Sequence, residues 1–231
     1  MGGIDTSPSA DGRLAGFFSL KRLRLRFRDR ALESTFRDYR FHLNLGNVRF
    51  AFVAGITMWI FWGVLMRPHI LALSDQRLDF VMRFGIFIPM LVVGLAVTFT
   101  PFFGRIWEGV SVVVAVATIL LWVYYLSQIL TLPAEYGYVG VILITAFTYT
   151  LLRLRFILVI FVTLVGILAY LQYAFTANYI PDVSRALAAL WLLSFGLLGG
   201  LSAYRTERYT RIVFLRERQL DQDDRAPTAS S

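Results

Sequence analysis

Side chains able to do chemistry are scarce in this chain of 231 residues. It contains no cysteine and only two histidines, His42 and His69. Without cysteine there is no thiol nucleophile, no cysteine-ligated zinc or iron–sulfur cluster and no disulfide. The two histidines lie on opposite sides of the first apolar run, so they cannot bind one haem together. The residue types therefore predict no catalytic residues, no metal site and no cofactor.

The elements that carry these residues are strongly apolar. Apolar residues make up 57% of the chain and charged residues 16%, whereas a soluble domain is about half apolar and about a quarter charged. A helix needs about 20 residues to cross a hydrocarbon layer of roughly 30 Å. The predicted spans are residues 49–66, 84–103, 109–130, 136–152, 156–176 and 186–204. This pattern predicts an all-α integral membrane protein, a bundle of six transmembrane helices.

Basic residues predict the orientation of these spans. Of the 23 lysines and arginines, 19 fall on the side that holds both termini and 4 on the other side. Because cytoplasmic segments carry the excess of lysine and arginine, both termini are predicted to be cytoplasmic. The first 20 residues lack the apolar core of a cleavable signal. We therefore expect a multi-pass protein of the bacterial inner membrane, with a basic segment at 1–48, a bundle at 49–204 and an exit helix with a disordered tail at 205–231.

Ionisable side chains are predicted to stay near the ends of the spans. The longest outer loop, 67–83, is too short for an external ligand-binding domain, and no ionisable residue is predicted deep inside a span. Because buried charges usually mark ion or proton pathways in membranes, this disfavours a proton-coupled transporter. Glu108, at the start of the third span, is expected to complement the helix dipole and to pair with Arg105.

Mildly polar residues occur within or near the spans. They either form hydrogen bonds between helices or line a small pocket for an apolar ligand. The residues considered for this pocket are Gln128, Thr145, Thr148, Tyr149 and Gln172. In the last span, Gly196 and Gly200 form a face of small residues that serves either packing within the bundle or dimerisation.

The segment before the first span alternates cations with apolar residues. The cations are Lys21, Arg22, Arg24, Arg26 and Arg28. Basic residues at the membrane surface are attracted to the anionic inner leaflet, which we prefer to nucleic acid as their partner. Apolar residues then recur at helical spacing and predict an amphipathic helix leading into the first span, at Leu32, Phe36, Tyr39 and Leu43.

The last span is followed by a stretch without glycine or proline as far as Leu220, which predicts that the helix continues into the cytoplasm. The spacing Tyr204-x-x-Glu207-x-x-x-Arg211-x-x-Phe214 resembles the exit helix of the six-helix membrane regions of bacterial class III adenylate/guanylate cyclases. Residues 36–40, Arg83 with Pro89, and residues 152–156 are also similar to that family. The resemblance implies a bundle that senses or regulates and that signals across a dimer, with Tyr204, Glu207, Arg211 and Phe214 as the output residues.

The sequence departs from this family after the exit helix. No cyclase, GGDEF or kinase motif follows Leu220. We therefore expect a non-enzymatic sensory or regulatory module that forms a homodimer or joins a membrane complex and acts on a separate cytoplasmic effector. The alternative is a structural or assembly subunit of a larger membrane complex, and the third possibility is a carrier for a small apolar solute.

Overall fold

The computed structural model describes residues 25, 27, 29–66, 73–129 and 134–225. Within these residues the chain is helical, with short connections. The α-helices are α1 (Arg30–Phe61), α2 (Leu73–Phe80), α3 (Ile88–Val97), α4 (Phe103–Gln128), α5 (Ala134–Thr150), α6 (Phe156–Thr176) and α7 (Asp182–Arg225). The π-helical segment Trp62–Met66 extends α1, and the π-helical segment Val81–Phe87 joins α2 to α3. The predicted all-α class is therefore confirmed.

Five helical segments are long and apolar enough to cross a membrane. They are Arg30–Val64, Asp75–Val97, Phe103–Gln128, Phe156–Thr176 and Asp182–Leu220. The sixth, α5, has 17 residues, which corresponds to about 26 Å at the rise of an α-helix. This is the span that the sequence predicted to be the shortest.

The second span begins earlier than predicted. The sequence analysis assigned residues 67–83 to an outer loop, but the chain is helical from Leu73 onward. Pro89 lies in the first turn of α3, and a proline removes one backbone donor and crowds the carbonyl four residues before it. The π-helical segment immediately before Pro89 accommodates this disruption. The prediction of a loop up to Arg83 is therefore wrong.

The last helix is also longer than predicted. It has 44 residues and ends at Arg225, whereas the sequence analysis placed its end near Leu220. Ala226 and Pro227 follow in the sequence. The ring of a proline disfavours the helical conformation of the residue before it. The first residue after Asp182 that breaks a helix is therefore Pro227, which lies beyond Arg225.

The chain divides into two compact units. The terminal unit comprises Met1–Leu43 and Tyr204–Ser231, and the bundle unit comprises Asn44–Ala203. The bundle unit has an apolar core in which α4, α5 and α6 pack against one another. Trp122, Val141 and Tyr170 are buried in this core.

Candidate functional site

The terminal unit contains a buried charge cluster formed by Glu33, Glu207 and Arg211. The guanidinium of Arg211, with 1% of its surface exposed, donates from Nη1 to Glu33 Oε2 at 2.9 Å and from Nη2 to Glu207 Oε1 at 3.0 Å. Glu33 and Glu207 are likewise buried. Glu33 Oε2 also accepts a hydrogen bond from the backbone N–H of Phe27 at 3.0 Å. One arginine thus joins two carboxylates whose positions in the chain lie far apart.

Local helix geometry positions each member of the charge cluster. Glu207 and Arg211 are four residues apart on α7, so they share one face of the helix. Glu33 lies in the first turn of α1, where a negative charge complements the positive end of the helix dipole. The cluster needs only that this end of α1 and this part of α7 face each other.

Aromatic rings enclose the charge cluster. The guanidinium carbon of Arg211 lies 4.4 Å from the ring centroid of Phe36 and 4.9 Å from that of Phe27. Phe214 packs edge-on against Phe36 at 5.4 Å and also contacts Tyr39 at 5.2 Å. Rings that lie over a desolvated guanidinium attract it through their quadrupoles. The rings therefore both exclude water and stabilise the cation.

The charge cluster holds the start of α1 against α7 within the terminal unit. Two buried carboxylates share the guanidinium of Arg211. Removal of Arg211 would therefore deprive two buried charges of their shared countercharge, which is strongly unfavourable. Among the described residues, no group of three or more histidine, aspartate and glutamate side chains is arranged to hold a metal ion.

The structure brings three of the four predicted output residues into one site. Glu207, Arg211 and Phe214 are buried in the terminal unit, and Tyr204 is half-buried one turn before Glu207. The sequence analysis did not identify Glu33. A carboxylate three residues before Phe36, on the predicted amphipathic face, was the signal that could have found it.

The glycine face of α7 packs inside the bundle unit. A Cβ atom at Gly196 would lie 3.1 Å from Thr163 Cγ2, and one at Gly200 would lie 2.9 Å from Ile160 Cδ1, both on α6. The closest approach is at Gly199, where a Cβ atom would overlap the ring of Tyr149. The sequence left open whether Gly196 and Gly200 serve packing within the bundle or dimerisation. In the structure both glycines pack against α6 of the same chain.

The five residues considered for an intramembrane pocket do not line a common cavity. Gln128 and Gln172 are exposed, and the hydroxyl of Thr145 donates to the Val141 carbonyl of its own helix at 2.8 Å. The hydroxyls of Tyr149 and Thr163 lie 2.6 Å apart. Only Thr148 lines the cavity described below. A hydroxyl within a helix is readily satisfied by a carbonyl one turn earlier, so polarity alone did not mark a pocket.

A second buried ionic group lies in the bundle unit. Asp79 and Arg83 are 1% and 3% exposed, and Arg83 Nε donates to Asp79 Oδ1 at 3.1 Å. The Tyr125 hydroxyl of α4 donates to the same oxygen at 2.6 Å. The Arg83 guanidinium also lies 5.1 Å from the ring centroid of Trp59. The segment 75–97, which is apolar enough to span a membrane, contains this pair within its first nine residues.

Of the other charged residues named from the sequence, Glu108 is half-buried. Glu108 Oε1 accepts a hydrogen bond from Arg155 Nε at 3.0 Å, so its carboxylate also links α4 to the turn before α6. The basic residues Lys21, Arg22, Arg24, Arg26 and Arg28 lie outside the described residues.

Comparisons with known proteins identify no relative. The chain matches no protein family, no curated protein sequence and no solved structure.

Proposed function

We propose that this protein is a non-enzymatic sensory or regulatory module of the bacterial inner membrane, with both termini in the cytoplasm. In this proposal the six-helix bundle responds to a signal, and the cytoplasmic end of α7 passes the response to a separate effector. The module acts as a homodimer or within a membrane complex, and catalysis belongs to the partner.

The charge cluster is the observation that carries the proposal. Arg211 bonds both to Glu207 on its own helix and to Glu33, which lies 178 positions away in the sequence. A buried ion set of this kind tolerates few intermediate geometries, because a partly broken pair leaves a desolvated charge. In this proposal the charge cluster is either formed or broken. A ligand could then transmit a signal by shifting the population between these two states.

Two further features support an output through α7. This helix contributes residues to both units and runs without interruption for 44 residues. The resemblance of Tyr204, Glu207, Arg211 and Phe214 to the exit helix of membrane-bound class III cyclases agrees with an output role. Of these residues, Arg211 and Phe214 contact α1 in the terminal unit.

An exposed apolar stripe on α7 supports the alternative function of an assembly subunit. Val183, Leu190, Leu197 and Leu201 are all exposed and recur on one side of the helix. A stripe of this kind suits either lipid or a helix of another membrane protein. Purification in a mild detergent distinguishes the two functions. A stoichiometric large integral complex would favour assembly, whereas an isolated dimer would favour regulation.

The regulatory function is tested by fusing a dimerisation-dependent cyclase reporter to the carboxyl end of the full chain. We expect Glu33→Gln and Arg211→Met each to change cyclic nucleotide output by about fivefold or more, the lower end of typical coupling energies. Asp38→Asn and Arg208→Met are matched controls, because both side chains are exposed on the same two helices.

Membrane levels of every variant are measured in parallel by immunoblotting. Glu33→Gln keeps hydrogen-bonding capacity and is the milder of the two changes, so it separates a signalling defect from a folding defect. If both cluster variants reach normal membrane levels and leave cyclic nucleotide output unchanged, the output role of α7 is wrong.

A further inference from the structure

A groove in the bundle unit offers a binding site for a small apolar molecule. It has a volume of about 300 Å³ and lies between α1, α4 and α5, with Leu91 of α3 at one wall. Its lining extends along α1 from Ala51 to Trp62, a distance of about 17 Å at the rise of an α-helix. This volume is at the lower end of the range for ligand sites, and the shape is elongated.

Small residues leave the space of the groove, and aromatic residues line one of its ends. Ala51 and Gly55 of α1 and Ala115 of α4 lack side chains long enough to fill the groove. A Cβ atom at Gly55 would meet only Leu91 Cδ1, at 3.4 Å. Trp59, Trp62 and Trp122 line the end farther from Ala51. The flat indole rings offer a large apolar surface, which favours binding of an apolar ligand.

Ser111 supplies the polar contact. Its side chain is completely buried, it lines the groove, and its hydroxyl has no hydrogen-bond partner among the described residues. The hydroxyls of Thr118 and Thr148, by contrast, donate to the Val114 and Ile144 carbonyls of their own helices. A buried hydroxyl without a partner is costly, so a ligand that supplies one gains affinity and orientation.

The charge of the groove restricts the ligand further. Among the described residues that line it, none carries a charge. An ionised ligand would lose its hydration without gaining a countercharge, which is strongly unfavourable. The ligand must therefore be uncharged, apolar along most of its length and polar at one end.

We propose that this groove binds an uncharged, elongated molecule from the lipid phase, which places a hydroxyl or carbonyl oxygen at Ser111 and its apolar chain toward the three tryptophans. The inference rests on the proposed function for its meaning, because the bound molecule would be the signal. Binding itself is measured without any output, so the two proposals fail separately.

The test uses quenching of tryptophan fluorescence in the purified full chain, reconstituted in nanodiscs. The probe is 11-bromoundecan-1-ol, whose hydroxyl would meet Ser111 while its bromine quenches the tryptophans at the far end. The matched probe, 1-bromoundecane, lacks the hydroxyl. We expect saturable quenching by both probes, with tighter binding of the alcohol.

Two pairs of variants separate the hydrogen bond from the cavity. Ser111→Ala should weaken binding of the alcohol by up to about tenfold and leave the bromoalkane unchanged. Ser127→Ala is the control, because that exposed hydroxyl is already bonded to the Tyr124 carbonyl. Gly55→Leu should fill the groove and abolish saturable quenching by both probes. Gly109→Leu is its control, since no atom lies within 4 Å of a Cβ at that exposed position.

Each contrary result overturns a defined part of the proposal. Quenching that does not saturate, or that persists unchanged in Gly55→Leu with a wild-type circular dichroism spectrum, would mean that the probe meets the tryptophans only from bulk lipid. Equal weakening of both probes by Ser111→Ala would mean that a plain acyl chain occupies the groove without the hydrogen bond. If neither probe binds but Glu33→Gln still changes the output of the cyclase reporter, this inference is wrong and the proposed function stands.

Discussion

Arg83 and Arg211 are both buried, but the partners that neutralise them differ. Arg211 has two carboxylates and two aromatic rings around its guanidinium. Arg83 has one carboxylate, Asp79, and its Nη1 has no hydrogen-bond partner among the described residues. Because a single countercharge supports Arg83, the bundle unit should depend strongly on Asp79.

We therefore expect Asp79→Asn to lower the free energy of unfolding by about 3–5 kcal/mol, the usual cost of leaving one buried charge unpaired. Tyr125→Phe removes one hydrogen bond to the same carboxylate and should cost about 1.5–3 kcal/mol. Both values are measured by denaturant titration of the purified protein in mixed micelles, followed by circular dichroism.

Two further variants check the physical cause. Arg77→Gln changes an exposed arginine of the same helix and should stay within about 0.5 kcal/mol of the wild type. The double variant Asp79→Asn with Arg83→Gln removes both charges and should be more stable than Asp79→Asn alone. A double variant no more stable than the single one would show that the unpaired charge is not the source of the loss.

At the scale of helices, irregular segments place the ion pair of the bundle unit. The π-helical segments Trp62–Met66 and Val81–Phe87 lie against each other, because a Cβ atom at Gly63 would be 3.1 Å from Arg83 Nε. The absence of a side chain at Gly63 leaves room for the arginine. Pi-helical turns are uncommon and often occur at functional sites.

The packing of α7 on its neighbours depends on one glycine more than on the two that the sequence pattern indicated. A Cβ atom at Gly199 would overlap the ring of Tyr149, and that ring is fixed by the hydrogen bond between its hydroxyl and Thr163. We expect Gly199→Ala to cost about 1–3 kcal/mol in the free energy of unfolding, as overpacking does.

Gly109→Ala is the matched control for this prediction. No atom would lie within 4 Å of the new Cβ, so the higher helix propensity of alanine should leave stability unchanged or raise it by up to about 1 kcal/mol. The same denaturant titration measures both variants. Equal stability changes for Gly199→Ala and Gly109→Ala would contradict close packing of α7 at Gly199.

At the scale of the whole molecule, the distribution of basic residues predicts the topology. The chain has no cysteine, so single cysteines can be introduced without background. We expect Ser74→Cys and Asp182→Cys to react with an impermeant thiol reagent on intact cells, and Ser230→Cys to react only after lysis. The reason is the excess of lysine and arginine beside both termini. Mass-tagging on gels measures the reaction.

Lysed cells provide the control for accessibility, since all three cysteines should then react. Labelling of Ser230→Cys on intact cells would reverse the orientation. That result would also place the charge cluster on the wrong side of the membrane for a cytoplasmic effector.

The sequence by itself determined the all-α class of the protein and the approximate positions of most of its apolar helices. Apolar runs predicted the all-α class, and the predicted span 156–176 coincides with α6. Glu207 and Arg211 are four residues apart in the sequence, a spacing that places them on one face of a helix, and they form an ion pair on α7. These features are local: helix periodicity and span length depend only on residues a few positions apart.

The tertiary structure alone decided which faces meet. Glu33 reaches Arg211 across 178 positions, and Tyr125 reaches Asp79 across 46. The unpartnered hydroxyl of Ser111 is likewise visible only once α1, α4 and α5 enclose a groove around it. Periodicity gives the phase of one helix but not its rotation against another, and that rotation follows from the packing of many side chains at once.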